Sequence, residues 1–191
     1  MIDIGAYSVN IRSRGEPQIA QLSFASQDEM PINWVFYWDE LWQRTYFESE
    51  RIIKLTYTDQ VFGLIRYAIY PNQDDRQFLE ILHLEANPVS SGKTDSRSVE
   101  PIGKWLIWYS AKTALTVCSN SGDHLLVILT SVEDAIDYYR DKVGMEFIDF
   151  ETIAPGEEGY VFGFKRSAAA EFCRQQEALH GKPSRLDRDP A

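Results

Sequence analysis

Three ionisable side chains fall within a single apolar run: Glu80, His83 and Glu85 in Gln77–Ala86 (QFLEILHLEA). Carboxylates and an imidazole in such a setting give and take protons, with burial and neighbours setting when they do. Glu85, where the run ends, is the carboxylate nearest the expected chemistry, and Glu80 is the second choice. His83 reads either as a catalytic imidazole or as a hydrogen-bonded core histidine. After Asn87-Pro88 comes an irregular Ser- and Gly-bearing stretch, and a helix opens near residues 101–104. Strand, irregular loop and helix amino end together form an architecture that receives phosphate groups, so the loop is where a cofactor is expected to lie.

The elements that must carry these residues follow from periodicity. Residues 7–14 and 18–25 alternate weakly and predict short strands or an extended arm. Residues 30–48 are dense in aromatics. There Trp34, Trp38, Leu41 and Trp42 fall at i, i+4, i+7 and i+8, one helical face, with Pro31 suited to the helix start and Asn33 to the cap. Those rings either pack a core or wall a pocket. Residues 51–58, 61–70 and 77–86 read as an antiparallel meander, with residues 59–60 and 71–76 as its turns. In its third strand, simple alternation puts Leu79, Ile81, His83 and Glu85 on one face and Phe78, Glu80, Leu82 and Leu84 on the other.

Downstream, Ile102, Trp105, Leu106 and Tyr109 keep helical spacing until the turn cluster at residues 119–123. Residues 125–129 predict a buried strand. Thr130 or Ser131 is expected to cap a helix with the stripe Val132, Ala135, Ile136, Tyr139 and Val143, ended by Gly144. Residues 145–150 and 160–165 predict strands, and residues 168–180 a surface helix. The organisation expected is one domain over residues 1–180 and a polar, frayed tail over residues 181–191.

Composition narrows the partners. The 191 residues carry a formal net charge of −10, which argues against a nucleic-acid backbone and favours cationic substrates such as amines. Cys118 and Cys173 are too few for a disulfide framework, and His83, His124 and His180 lack zinc spacing. The amino terminus has no apolar core like that of a signal peptide, and no apolar run is long enough to span a bilayer. A reducing, cytoplasmic setting with no membrane partner is expected. Ser91-Gly92-Lys93-Thr94 resembles the end of a P-loop, but Asn87 stands where its first glycine belongs. Ser121 lacks the glycines of a nucleophile elbow.

Residues 131–147 (SVEDAIDYYRDKVGMEF) place Ala135, Tyr138, Tyr139, Gly144 and Met145 in a spacing that resembles the late motif of the GNAT N-acetyltransferase superfamily. Trp34-x-Phe36-x-Trp38, Gly63-Leu64-Ile65 and Leu84-Glu85-x-Asn87-Pro88 resemble an uncharacterised bacterial branch of it. The resemblance implies an α+β (mixed α/β) fold, with a central mixed, mostly antiparallel twisted sheet flanked by helices. It implies acetyl-CoA or another acyl-CoA as donor and direct acyl transfer to a small-molecule or peptide amine. It is also compatible with a homodimer.

By position, Glu85 matches the family's proton acceptor and Tyr139 the tyrosine that protonates the leaving thiolate. Leu84, Ser98, Val99, Ile102, Gly103, Lys104 and Tyr138 match cofactor contacts. Glu85 reads equally as a structural carboxylate holding the loop, and Tyr139 as a core tyrosine. One departure stands out. Ser98 and Pro101 occupy the amide-or-basic and first glycine positions of the pyrophosphate loop, and Glu100 adds negative charge. Proline removes a backbone donor, which Arg97 and Lys104 would have to offset. The departure motivates an alternative: a GNAT-fold binding or regulatory protein without turnover.

Overall fold

The computed structural model describes residues 3–71, 77–90, 98–118 and 122–186. Arg97, Ser121 and the P-loop-like residues 91–94 lie outside them. The first strands are β1 (Tyr7–Ser13), β2 (Glu16–Phe24), β3 (Glu50–Tyr57), β4 (Gln60–Pro71) and β5 (Gln77–Ala86), with the short helix α1 (Trp38–Gln43) between β2 and β3. Then follow β6 (Val99–Glu100), α2 (Ile102–Val117), β7 (Leu125–Ser131), β8 (Glu146–Ala154), β9 (Glu157–Lys165), α3 (Arg166–His180) and β10 (Ser184–Arg185). The sheet runs β10-β1-β2-β3-β4-β5-β7-β9-β8, and β6 pairs with β1. Its pairings are antiparallel except β5 with β7. The turn from β3 to β4 holds Thr58 and Asp59 at φ 49° and 60°, the left-handed pair that matches hairpin twist.

Helix α2 lies across one face of the sheet, with Trp105, Leu106, Ile107, Trp108 and Tyr109 buried. Gly63 on β4 permits that approach, since a Cβ there would stand 2.4 Å from Ile102 Cγ2 and 2.8 Å from Leu106 Cδ1. The polar tips of the large rings find acceptors, as burial requires. Trp105 Nε1 donates to the Asn10 carbonyl at 2.7 Å, Trp108 Nε1 to Glu177 Oε1 at 3.1 Å, and the Tyr109 hydroxyl to the Gly5 carbonyl at 2.8 Å. Helix α3 buries Ala169, Phe172 and Cys173 in the same core, so it is less of a surface helix than its composition predicts. A smaller core of Met30, Trp38, Ile52 and Leu64 forms separately, flanked by Trp34, Leu41 and Trp42.

Three expectations are corrected. The helix predicted over residues 30–48 shrinks to Trp38–Gln43. The amides of Val35 and Phe36, needed for a longer ladder, donate instead to the Glu85 carboxylate. The predicted capping by Thr130 or Ser131 gives way to Val132 as N-cap of a turn at Glu133–Ala135, followed by a π-helical turn, Tyr138–Val143. Gly144 ends that turn at φ 79°, as the sequence indicates. The expected tail is held at its start: β10 pairs with β1, and the Leu186 amide donates to the Ala6 carbonyl at 2.9 Å, while residues 187–191 lie outside the described residues.

Candidate active site

The parallel strands β5 and β7 stay paired only where Leu79, Ile81 and the residue between them face Val127 to Leu129. Beyond that point β5 continues to Ala86 and β7 turns away after Ser131. The strands part there around a cavity of about 180 Å³, lined by Phe36, Leu82, His83, Leu84, Thr130 and Tyr139 among others. A β-bulge sits at the same place. Arg66 pairs with His83 and Tyr67 with Ile81, leaving Leu82 without a register partner on β4. Its backbone is thus outside both neighbouring ladders.

The bulge also corrects the face assignment, because one extra residue reverses the alternation. Leu79, Ile81 and Leu84 pack with the α2 core. His83 and Glu85 turn with Glu80 to the opposite face. There the His83 ring meets Phe36 at 5.0 Å and Trp38 at 6.3 Å, both edge-on.

His83 Nδ1 is buried and has no hydrogen-bond partner among the described residues. Burial, then the Arg66 guanidinium in register beside it, lowers the imidazole to about 4, so it is neutral at physiological pH. Arg66 is held by Glu50 at 2.6 Å. On the far wall, the Tyr139 hydroxyl is pushed up to about 12 by burial and keeps its proton. The slot therefore brings together a neutral imidazole and a protonated phenol.

Glu85 is only 8% exposed, and both its oxygens are engaged. Oε1 accepts the Val35 amide at 2.6 Å, and Oε2 accepts the Phe36 amide at 3.1 Å and Trp38 Nε1 at 2.9 Å. The carboxylate expected to take a proton is thus committed to N–H donors of the preceding aromatic segment. Glu80 pairs in register with Ala68 and Ile128, in the closed part of the sheet below the split. Burial, and then Glu151, raises its carboxyl.

The residues expected to meet a cofactor divide. Leu84 lines the slot. Ile102 is in the core against β4. The Val99 amide, expected to face pyrophosphate, donates to Ser90 Oγ at 3.2 Å, because β6 is tied to β1. Ser98 shares a 2.6 Å hydrogen bond with Ser90, and its carbonyl accepts the Arg14 amide. Gly103 lies against Tyr138, whose hydroxyl would be 2.5 Å from any Cβ there. Helix α2 opens at Pro101 without a side-chain cap among the described residues, and the first amides of a helix have no intrahelical acceptor.

Beside that helix end is a second cavity, of about 510 Å³, lined by Arg12, Lys104, Tyr138, Lys142 and His180 together with Glu100. Its cations crowd one another. Lys104 is lowered by burial and then by Lys142, and His180 by burial, then Lys104 and Arg12. Sequence reasoning placed Lys104 and Tyr138 here as cofactor contacts, and Glu100 and Pro101 as departures from the family loop. Arg12, Lys142 and His180 come from β1, the π-helical turn and α3, and no local pattern connects them. A third cavity, of about 640 Å³, shares Val132 with the slot and carries Glu133, Asp134, Glu157 and Glu158.

No family model and no curated protein matches the sequence. Solved structures do match the fold. A GNAT-family acetyltransferase from Bacillus cereus superposes with a TM-score of 0.53 at 11% identity, covering 78% of this chain and 99% of that one. The chain has the GNAT fold. AtaTR bound with acetyl-CoA gives 0.53 at 10% identity over 80% and 96% of the two chains. Naa50 of Arabidopsis thaliana, in complex with the bisubstrate analogue CoA-Ac-MVNAL, gives 0.50 at 17% over 75% and 97%. In the GNAT fold of this chain the α2 amino end adjoins the slot: a Cβ at Gly103 would stand 3.9 Å from Leu84 Cδ2. Among the described residues no helix is long and apolar enough to cross a membrane, and no group of His, Cys, Asp and Glu could hold a metal.

Proposed function

We propose that the chain is an N-acyltransferase that moves an acetyl or other acyl group from acyl-CoA to an amine. The observation that carries this reading is the parting of β5 and β7, with neutral His83 on one wall and protonated Tyr139 on the other. Structures of the same fold with acetyl-CoA or a CoA-peptide analogue support it. The residues present fit such a group. Arg12, Lys104, Lys142 and His180, with the first amides of α2 at Gly103 and Lys104, would take its phosphates. The close hydroxyl of Tyr138 and the Leu84 side chain would border its arm.

Acetyl-CoA, when bound, supplies a thioester carbonyl and a thiol leaving group. His83 takes the proton that the acceptor amine sheds as its nitrogen bonds to carbon. Tyr139 Oη holds the proton that a departing sulfur needs. The Leu82 backbone, outside the register of both neighbours and lining the slot, offers a donor for a carbonyl oxygen. Glu85, already engaged by N–H groups, is assigned a supporting part.

The acceptor entrance beyond Val132 is acidic, with four carboxylates in its cavity. An amine bearing further positive charge is the class it favours. A thiol-release assay with acetyl-CoA should therefore give a higher kcat/KM for a polyamine than for a neutral-tailed monoamine. A reversed order would overturn this acceptor class.

The engaged Val99 amide and the Pro101 cap favour a second reading, a binding protein without turnover. Acetyl-CoA should raise the melting temperature if it binds the native state. A shift without thiol release under any amine supports the second reading. No shift at millimolar acetyl-CoA removes the first.

A further inference from the structure

We infer that Glu85 is a positioning residue: its carboxylate clamps residues 35–38 and so fixes the aromatic wall along which an acceptor reaches His83. The inference rests on the acyltransferase reading of the slot. Residues 34–36 form no regular structure, and Val35 and Tyr37 are well exposed on either side of Phe36. The amides of Val35 and Phe36 and the Trp38 indole N–H all end on one carboxylate, at 2.6, 3.1 and 2.9 Å. An ionised carboxylate is acceptor-only and suits three donors, whereas a glutamine would turn its own NH₂ toward some of them.

The anchored segment delivers two rings to the imidazole. Phe36 lines the slot and stands 5.0 Å from His83, while Trp38 is fully buried at 6.3 Å. Releasing the clamp frees the wall without touching the α2 side of the slot, where the cofactor residues lie. A proton acceptor role at Glu85 predicts something different: Oε1 accepts only the Val35 amide and keeps a lone pair for a proton, so loss of that role would lower kcat rather than raise the acceptor KM.

The test is Glu85→Gln, read by steady-state kinetics, by acetyl-CoA titration and by amide hydrogen exchange of residues 34–38. The clamp predicts an acceptor KM raised about tenfold or more, a smaller change in kcat, and an acetyl-CoA Kd within about twofold of wild type. It also predicts faster exchange at Val35 and Phe36. Trp38→Phe, which removes one donor, should act in the same direction with a smaller effect. The double variant should change less than the sum of the two.

A kcat lowered about 100-fold at unchanged acceptor KM would overturn the inference and return Glu85 to the role of base. Unchanged exchange at Val35 and Phe36 would overturn the clamp itself. Should Glu85→Gln fail to fold, Trp38→Phe alone carries the same readouts. If wild type binds no acetyl-CoA, the acyltransferase reading falls and takes the acceptor role with it. The exchange data then decide the clamp separately.

Discussion

His83 and Tyr139 are moved in opposite directions by the same cause. Burial disfavours a charge on either ring, so the imidazole falls to about 4 and the phenol rises to about 12. Between those limits neither group titrates. In the proposed reaction, kcat/KM should rise with pH only as the acceptor amine loses its proton, without a step near 6.5. A second limb in that region would mean that another group gates the chemistry. Tyr139→Phe should keep acetyl-CoA binding and slow turnover by about 10- to 100-fold; a wild-type rate would make Tyr139 a packing residue only.

The same depression of His83 acts on stability. An unfolded chain takes up this proton near 6.5, whereas the folded chain resists until about 4. Stability from this group is complete above 6.5 and is lost as pH falls through that window. Denaturant titrations of His83→Gln between pH 7 and 4.5 should show a shallower fall than wild type.

At the scale of elements, the slot depends on how closely α2 sits on β4 and β5. Gly63 is a point of close approach, opposite the buried ends of Ile102 and Leu106. Both neighbours are buried, so an added Cβ must displace packed side chains. Gly63→Ala should cost about 1–3 kcal/mol by overpacking, lowering the melting temperature by several degrees in a chain of this size. An unchanged melting temperature would mean that the helix can shift outward freely. The bulge at Leu82 is the other decisive element feature. Without the extra residue, His83 would share the face of Ile81 and point into the α2 core.

For the whole molecule, charge is distributed against its sum. The chain is strongly acidic, yet β1, α2, the π-helical turn and α3 bring Arg12, Lys104, Lys142 and His180 to one cavity. Burial, and after it the neighbouring cations, lowers Lys104 and His180, and a bound polyanion would offset the second effect. Acetyl-CoA affinity should therefore weaken as ionic strength rises from about 0.05 to 0.5 M. The pair Lys104→Met and Lys142→Met should weaken it about tenfold or more and flatten the salt dependence. Salt-independent binding in wild type would place the phosphates elsewhere.

Periodicity and turn chemistry made the meander, α2, the β7 strand, the Gly144 stop and α3 legible, because local alternation, helical spacing and left-handed turns need no distant partner. The aromatic and titratable residues around the slot were visible by type: His83, Glu85, Tyr139, Phe36 and Trp38. Their partnerships were not. The helix expected over residues 30–48 is shortened by a carboxylate fifty residues away in sequence from Val35. The alternation of β5 is reversed by a bulge that only pairing with β4 reveals. The basic cavity joins four elements that no sequence window contains. A sequence specifies which groups are present and the local conformations they prefer. Only the tertiary structure decides which donor meets which acceptor, because that choice is made by burial among groups far apart in the chain.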